Sequence, residues 1–315
     1  MPENRTPGLL PAAIRSLDTN PLRPYSQAEA RSVLADLRDW GRSAPALAEL
    51  AAQASIARDF VVAALTLSPH LRDTARISPA LLAEALDGDL NALLLDTVET
   101  ARGCWTLATE AELMAALRKA KRRAAFLIAL GDLGGLLSGA EATGWLSRLA
   151  EACTAAAIDH LLLAAHHSGK LRLTDVASPS AGSGLIVLGM GKLGGRELNY
   201  SSDIDIVVFY EPEAGILIDP DDATDMYARL LRRLIRILQE RTGDGYVFRT
   251  DLRLRPDPGS TPLAIPVEAA MIYYEGRGQN WERAAFIKAR PVAGDLVAGE
   301  RFLRDLVPFV FRKYL

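Results

Sequence analysis

Three acids and a glycine-rich turn are the residues whose types and spacing suit chemistry. Asp203 and Asp205 flank a single residue within an apolar run, Ile204 to Phe209, that reads as a strand. Period-2 alternation puts the two carboxylates on one face about 7 Å apart along the chain, and Ile204 and Ile206 on the other. Carboxylates brought to about 4 Å repel by roughly 4 kcal/mol at an effective dielectric of 20, so the pattern calls for a cation. Oxygen-only ligands with positions left for phosphate oxygens suit Mg²⁺ or Mn²⁺. In Thr250-Asp251-Leu252-Arg253-Leu254-Arg255 the same alternation sets Asp251, Arg253 and Arg255 on one face. Asp251 is then a third metal ligand, and the two guanidiniums are candidates for phosphate. Alone, this segment reads as a solvated strand face with an Asp–Arg pair; beside Asp203 and Asp205 the catalytic reading is stronger.

The run Gly189-Met190-Gly191-Lys192-Leu193-Gly194-Gly195 follows a short apolar segment, Leu185 to Leu188, bounded by glycines. Glycines let a backbone approach a phosphate and aim amide N–H groups at it. Gly191, Lys192, Gly194 and Gly195 are the candidate phosphate cradle, with the Ser202 hydroxyl as a further contact. A dinucleotide fold uses a similar glycine pattern but needs a full crossover helix before its acidic residue. Only seven residues separate Gly195 from Asp203, too few for a parallel crossover. A loop lysine facing solvent is the plain alternative for Lys192.

The elements that must position these residues change character near residue 180. Upstream, Ser26 with Glu29, Thr109 with Glu112 and Ser138 with Glu141 read as capping boxes, and Ser78-Pro79 as a helix start. Leu47, Leu50, Ala54, Ala57 and Val61 repeat at helical spacing as one buried face. Residues 1–177 therefore read as a helical domain of about six or seven helices. Ser178 to Gly184 reads as a linker or exposed loop. Residues 178–275 follow as a small mixed-sheet catalytic domain: strands at Leu185–Leu188, Ile204–Phe209 and Tyr246–Leu254, a helix over Asp222–Arg241, and another over Pro266–Glu275. Residues 276–315 read as the start of a further helical segment. The fold class is α+β.

Composition narrows the function. A net charge of −3 argues against a general nucleic-acid binder. Two cysteines and four histidines without ligand spacing make a zinc site or disulfide framework unexpected. No apolar stretch approaches a membrane span, and the polar Met1–Gly8 lacks the apolar core of a signal peptide, so a cytoplasmic protein is expected. His160, His166 and His167 sit in an apolar helix and read as structural. Arg229, Arg232, Arg233 and Arg236 form a basic stripe, read as a solvated face or a contact for an acidic partner.

Gly191, eleven residues, then Asp203-x-Asp205, with a later strand carrying Asp251, resembles the nucleotidyltransferase superfamily that includes DNA polymerase β. The wording is closer still to one family. GMGKLGGRELNYSSDIDIVVFY, RTDLRLRPDPGSTPL and YYEGRGQNWERAAFIKAR resemble the bifunctional glutamine synthetase adenylyltransferase/adenylyl-removing enzymes, specifically their adenylyl-removing part. The resemblance implies phosphorolysis of adenylyl-tyrosine on glutamine synthetase, releasing ADP, with Mg²⁺ or Mn²⁺ held by Asp203, Asp205 and Asp251. It implies adenylylated glutamine synthetase, orthophosphate and adenine nucleotide as partners, and a PII-type signal protein as regulator. It also implies that the chain is part of a longer protein, an expectation the apolar ending Pro308–Leu315 supports. ATP-dependent adenylylation and a non-catalytic docking module are the alternatives. Trp281, Glu282, Arg283, Lys288 and Arg290 belong, by resemblance, near the site rim; by residue type they equally suit a helix with ordinary ion pairs.

Overall fold

The computed structural model describes residues 21–311. The Met1–Gly8 stretch and the last four residues of Pro308–Leu315 lie outside them. Among the described residues the chain forms two compact units, one of residues 21–97 with 122–145, the other of residues 98–121 with 146–311. This division runs through two long helices, whereas the sequence reading divides helical from mixed segments at residue 177.

In the first unit the helices are α1 (Gln27–Trp40), α2 (Pro45–Ala52), α3 (Ile56–Leu67), α4 (Pro69–Ile77) and α5 (Pro79–Asp87). Three further helices, α6 (Leu90–Gly103), α7 (Glu110–Leu133) and α8 (Gly139–His167), make eight among the described residues before the first strand, more than the six or seven expected. The single buried face expected from Leu47 to Val61 is two helices bent by 105°. Ser55 ends the run because its hydroxyl accepts the Arg58 amide and restarts the helix, leaving Ala54 exposed. Ser26 caps α1 but Glu29 does not reciprocate; its carboxylate accepts from Arg72 instead, at 3.1 Å. Thr109–Glu112 and Ser138–Glu141 form full reciprocal boxes. Ser78 precedes Pro79 at the start of α5 without a side-chain cap bond.

The second unit is built on a five-stranded mixed sheet, β1 (Leu185–Gly189), β2 (Ile204–Tyr210), β3 (Thr250–Asp251), β4 (Ala264–Pro266) and β5 (Arg290–Gly294). The order β3-β2-β1-β5 places β1 centrally, antiparallel to both neighbours, while β3 and β4 run parallel to β2. A one-turn helix, α9 (Gly191–Gly194), follows β1 directly. Ile186, Leu188, Val207 and Phe209 bury one face under α11 (Val267–Gly276), α12 (Asn280–Phe286) and α13 (Leu296–Val310), with the Phe209 and Phe302 rings 4.5 Å apart. On the opposite face Tyr210 meets Tyr227 of α10 (Ala223–Gln239), at 4.6 Å. No single helix among the described residues is long and apolar enough to cross a membrane.

The strand expected over Tyr246–Leu254 shrinks to Thr250–Asp251. Upstream, the Val247 and Phe248 amides both donate to the Leu238 carbonyl, which ties the segment to the end of α10. Downstream, the Arg253 amide donates to Asp251 Oδ1 at 2.8 Å, a side-chain turn that competes with the ladder. The loop before the strand is held from α7: buried Arg118 donates to the carbonyls of Gly245, Ile237 and Glu240, at 2.9, 3.0 and 2.5 Å. Ser178–Gly184 is likewise anchored rather than free, since Ser180 donates to buried Asp159 and Ser183 accepts the Leu185 amide.

One turn beyond Arg118, Lys121 places its ammonium, buried and without a hydrogen-bond partner, 4.2 Å from the centre of the Phe248 ring. Burial lowers its pKa to about 8, and the same burial pushes the neighbouring Cys153 thiol up to about 12. The folded pKa lies below the unfolded value, so the unfolded chain binds more protons between about pH 8 and 10.5. The contribution of Lys121 to stability therefore rises across that window, with the full cost of its buried charge below pH 8, while the raised Cys153 thiol works in the opposite sense above its ordinary pKa of 9.0. Lys121→Met is expected to stabilise the protein by about 1–3 kcal/mol at pH 7, with a smaller gain at pH 9.5. Urea unfolding at the two pH values checks this; equal gains at both would contradict it.

Candidate active site

The sheet register brings the acids together. Antiparallel pairing of Gly189 with Ile206 puts the end of β1 beside the start of β2, so the glycine turn and Asp203-Ile204-Asp205 share one end of the sheet. Parallel pairing then sets Asp251 directly beside Asp205. Ile204 and Ile206 are buried, as the alternation required. Burial raises the Asp205 pKa, the adjacent negative charges of Asp251 and Asp203 add to it, and Arg253 and Lys192 partly offset them. Lys192, exposed on α9, is therefore within electrostatic reach of the acids.

The flanking carboxylates face arginines. Asp203 accepts from Arg249 Nε at 2.5 Å. Asp251 accepts from Arg253 Nε at 3.0 and 2.9 Å and from its Nη2 at 2.5 Å, and these bonds hold its carboxyl below the usual range. No three acid, imidazole or thiol groups among the described residues form a ready-made ligand set. The donors fit a hard divalent cation in kind, since all are carboxylate oxygens at one sheet end and Asp205 already bears the charge of its neighbours. The expected fan of Asp251, Arg253 and Arg255 on one strand face does not form. Arg255 turns back to donate to the carbonyls of Leu252 and Pro258, at 2.9 and 2.7 Å, and so secures the loop after β3. It still lines a cleft of about 650 Å³ with Asp203, Arg249, Asp251, Arg253 and Gln239. The Ser202 hydroxyl accepts the Asn199 amide at 3.3 Å, within the turn that leads into β2.

The glycine turn is fixed by close backbone contact. Met190 donates its amide to the Asp205 carbonyl at 2.8 Å, and Gly191 follows at φ +49°. A Cβ on Gly191 would stand 3.1 Å from Asp205 Oδ2; one on Gly194 would stand 2.0 Å from the Lys288 carbonyl oxygen. Arg290 holds the far side of the turn. It donates to the carbonyls of Gly194 and Leu193, at 3.3 and 3.2 Å, and pairs with Glu151 of α8 at 2.5 Å. In the neighbouring charged stretch Lys288 pairs with Glu197 at 2.6 Å, and buried Glu282 completes the capping box of α12. Trp281 is half exposed. The basic stripe of α10 meets acids of its own unit, Arg229 with Asp222 and both Arg233 and Arg236 with Glu110. His160 and His166 bond to the backbone of Trp105 and Leu173. Cys104 and Cys153 are buried free thiols.

Arg249 and Glu151 escape a motif-based reading, since one lies in a segment that reads as plain strand and the other in an ordinary helix. A second cavity, about 700 Å³, opens at the other end of β1 near Arg102, Asp159, Glu211 and Arg301, and contains none of the three acids.

Comparison with known proteins gives the class first: the sequence matches a family of nucleotidyltransferase enzymes. It matches the glutamate-ammonia ligase adenylyltransferase family over residues 59–305, and the chain belongs to that family. The bifunctional glutamine synthetase adenylyltransferase/adenylyl-removing enzyme of Agrobacterium fabrum (strain C58 / ATCC 33970) is 63% identical over 299 residues, 93% of this chain and 30% of the relative. Its counterpart in Rhizobium meliloti (strain 1021) is 61% identical over 96% of this chain and 31% of the relative. That of Brucella suis biovar 1 (strain 1330) is 50% identical over 93% and 30%. The chain thus spans about three-tenths of the length of these curated relatives.

Gly194→Ala is expected to destabilise the second unit by at least about 1–3 kcal/mol, because the added methyl meets backbone on both sides. Gly195→Ala meets mainly the flexible ends of Lys288 and Glu197, at 3.1 and 3.3 Å, and should cost much less. Thermal unfolding of the pair decides: equal losses would mean the Lys288 carbonyl contact does not fix the turn.

Proposed function

We infer that this chain catalyses metal-dependent deadenylylation of glutamine synthetase: phosphorolysis of adenylyl-tyrosine, releasing ADP. The observation that carries the reading is the register pairing of Asp205 with Asp251, which sets the acids against the glycine turn at one end of the sheet. Orthophosphate attacks the phosphorus of the AMP group, the bond from phosphorus to the tyrosine oxygen breaks, and the phenolate leaving group takes up a proton. Asp203, Asp205 and Asp251 hold Mg²⁺ or Mn²⁺, which supplies charge neutralisation to the transferring phosphoryl group. The amides of Gly191, Gly194 and Gly195 with Lys192 and Ser202 cradle nucleotide phosphate. Arg253 receives orthophosphate, and Arg255, committed to carbonyls in the same cleft, shapes the wall behind it.

Because orthophosphate is already ionised at neutral pH, Asp251 serves as a ligand rather than a base. The partners in this reading are adenylylated glutamine synthetase, orthophosphate and adenine nucleotide, with a PII-type signal protein as regulator and the cytoplasm as location. Residues 178–275 carry the chemistry, and residues 276–311, expected as the start of a further helical segment, instead complete the same sheet with β5 and cover one face of it with α12 and α13. The choice of removal over addition rests on the wording of the motif run alone, since the bifunctional names of the relatives cover both activities.

Incubation with adenylylated glutamine synthetase, Mg²⁺ and orthophosphate should release ADP, and Asp205→Asn should lower the rate at least about 100-fold. AMP transfer from ATP to the unmodified enzyme, without ADP release from the modified one, would reverse the direction. Binding of the target by folded protein with neither reaction would leave a docking module.

A further inference from the structure

Both flanking acids of the site already carry a positive partner, and each partner comes from the solvent side. Arg249 bridges Asp203 and the Ser201 carbonyl, at 2.5 Å to each, with its side chain 49% exposed. Arg253 grips Asp251 through two nitrogens and is 83% exposed. Asp205, between them, receives only the more distant charge of Arg253 and Lys192. The two guanidiniums occupy the Asp203 and Asp251 oxygens that a shared cation would need. The arginine of each pair is open to solvent, although the Asp251 carboxylate itself is only 18% exposed, and pairs screened in this way are weak enough for a divalent ion of higher charge density to displace the guanidinium. The displaced groups stay in the same cleft, which both line.

We propose that Arg249 and Arg253 are exchangeable counterions, which neutralise Asp203 and Asp251 until a divalent cation takes those carboxylates and then turn their freed guanidiniums to the incoming phosphate. The idea rests on the metal-dependent reading above. It makes the arginines positioning residues with opposite effects on two ligands: they compete with the cation and assist the anion. Cation and phosphate binding become mutually reinforcing, because each removes the competitor of the other. Planar guanidiniums suit both roles, forking onto carboxylate or phosphate with similar geometry.

The test uses Mn²⁺ alone, followed by its free-ion electron paramagnetic resonance signal, and inorganic phosphate, followed by calorimetry with and without Mn²⁺. Wild type is compared with Arg249→Gln, Arg253→Gln, Arg249→Lys and Asp205→Asn, each checked for folding by its melting curve. Arg249→Gln and Arg253→Gln should each bind Mn²⁺ roughly two- to fivefold tighter than wild type. The same variants should bind phosphate more weakly at saturating Mn²⁺, with Arg249→Lys between. Wild type should bind phosphate more tightly with Mn²⁺ than without. Mn²⁺ binding that depends on Asp205 but is unchanged or weaker in both glutamine variants overturns the exchange and leaves the metal reading standing. Absence of Asp205-dependent Mn²⁺ binding in every protein overturns both.

Discussion

The parallel pairing of two short segments, with Asp251 in register beside Asp205, is the contact that the rest of the site answers to. It puts like charges side by side at a sheet end, where each costs the other free energy unless something positive is near. The positive groups are supplied from three directions: Lys192 from the glycine turn, Arg253 from the residue after next, and Arg249 from just before the strand. Because β3 has only two residues, its own ladder cannot hold that register. The anchoring comes from outside: Arg118 grips three carbonyls of the approach, and Arg255 secures the exit.

The same logic explains why helices upstream of the sheet belong to its compact unit. Residues 98–121 and 146–167 cluster with the strands, not with the first five helices. Arg118 and Lys121 serve the loop before β3, and Glu151 serves the glycine turn through Arg290. Glu110 collects two arginines of α10. A glycine turn with almost no side chains has few means of holding itself in place. Its position is set from behind, by the Arg290 guanidinium and by the Lys288 carbonyl that leaves no room for a Cβ on Gly194.

What could be read from the sequence followed from local periodicity. β1, β2, α10 and α11 appear within a residue or two of their expected bounds, since each has an apolar pattern of one clear period. The capping boxes at Thr109 and Ser138 formed because their partners lie three residues away. Reading failed where a local hydrogen bond defeats the pattern. Ser55 breaks an apparently continuous helical face, and the Asp251 side chain captures the Arg253 amide and ends a strand whose alternation looked sound. Partners such as Arg249 with Asp203, 46 residues apart, were illegible because nothing local distinguishes an arginine that reaches an acid from one that faces water.

The charges at this sheet end balance in an informative way. Three carboxylates stand against the three cations that pair with them or act on them, Lys192, Arg249 and Arg253, so that set is formally neutral, with Arg255 outside it and committed to backbone carbonyls. A neutral cluster has little pull on a free anion, and its acids, already satisfied, have little pull on a free cation. In the proposed exchange one divalent ion would make the sum positive by two, with the added charge on the acids and the arginines freed toward the cleft. An orthophosphate dianion would restore neutrality. A site with the acids alone would hold cations indiscriminately, and one with excess arginine would hold phosphate without a metal. The balance favours the state in which both are present together, as the proposed phosphoryl transfer requires.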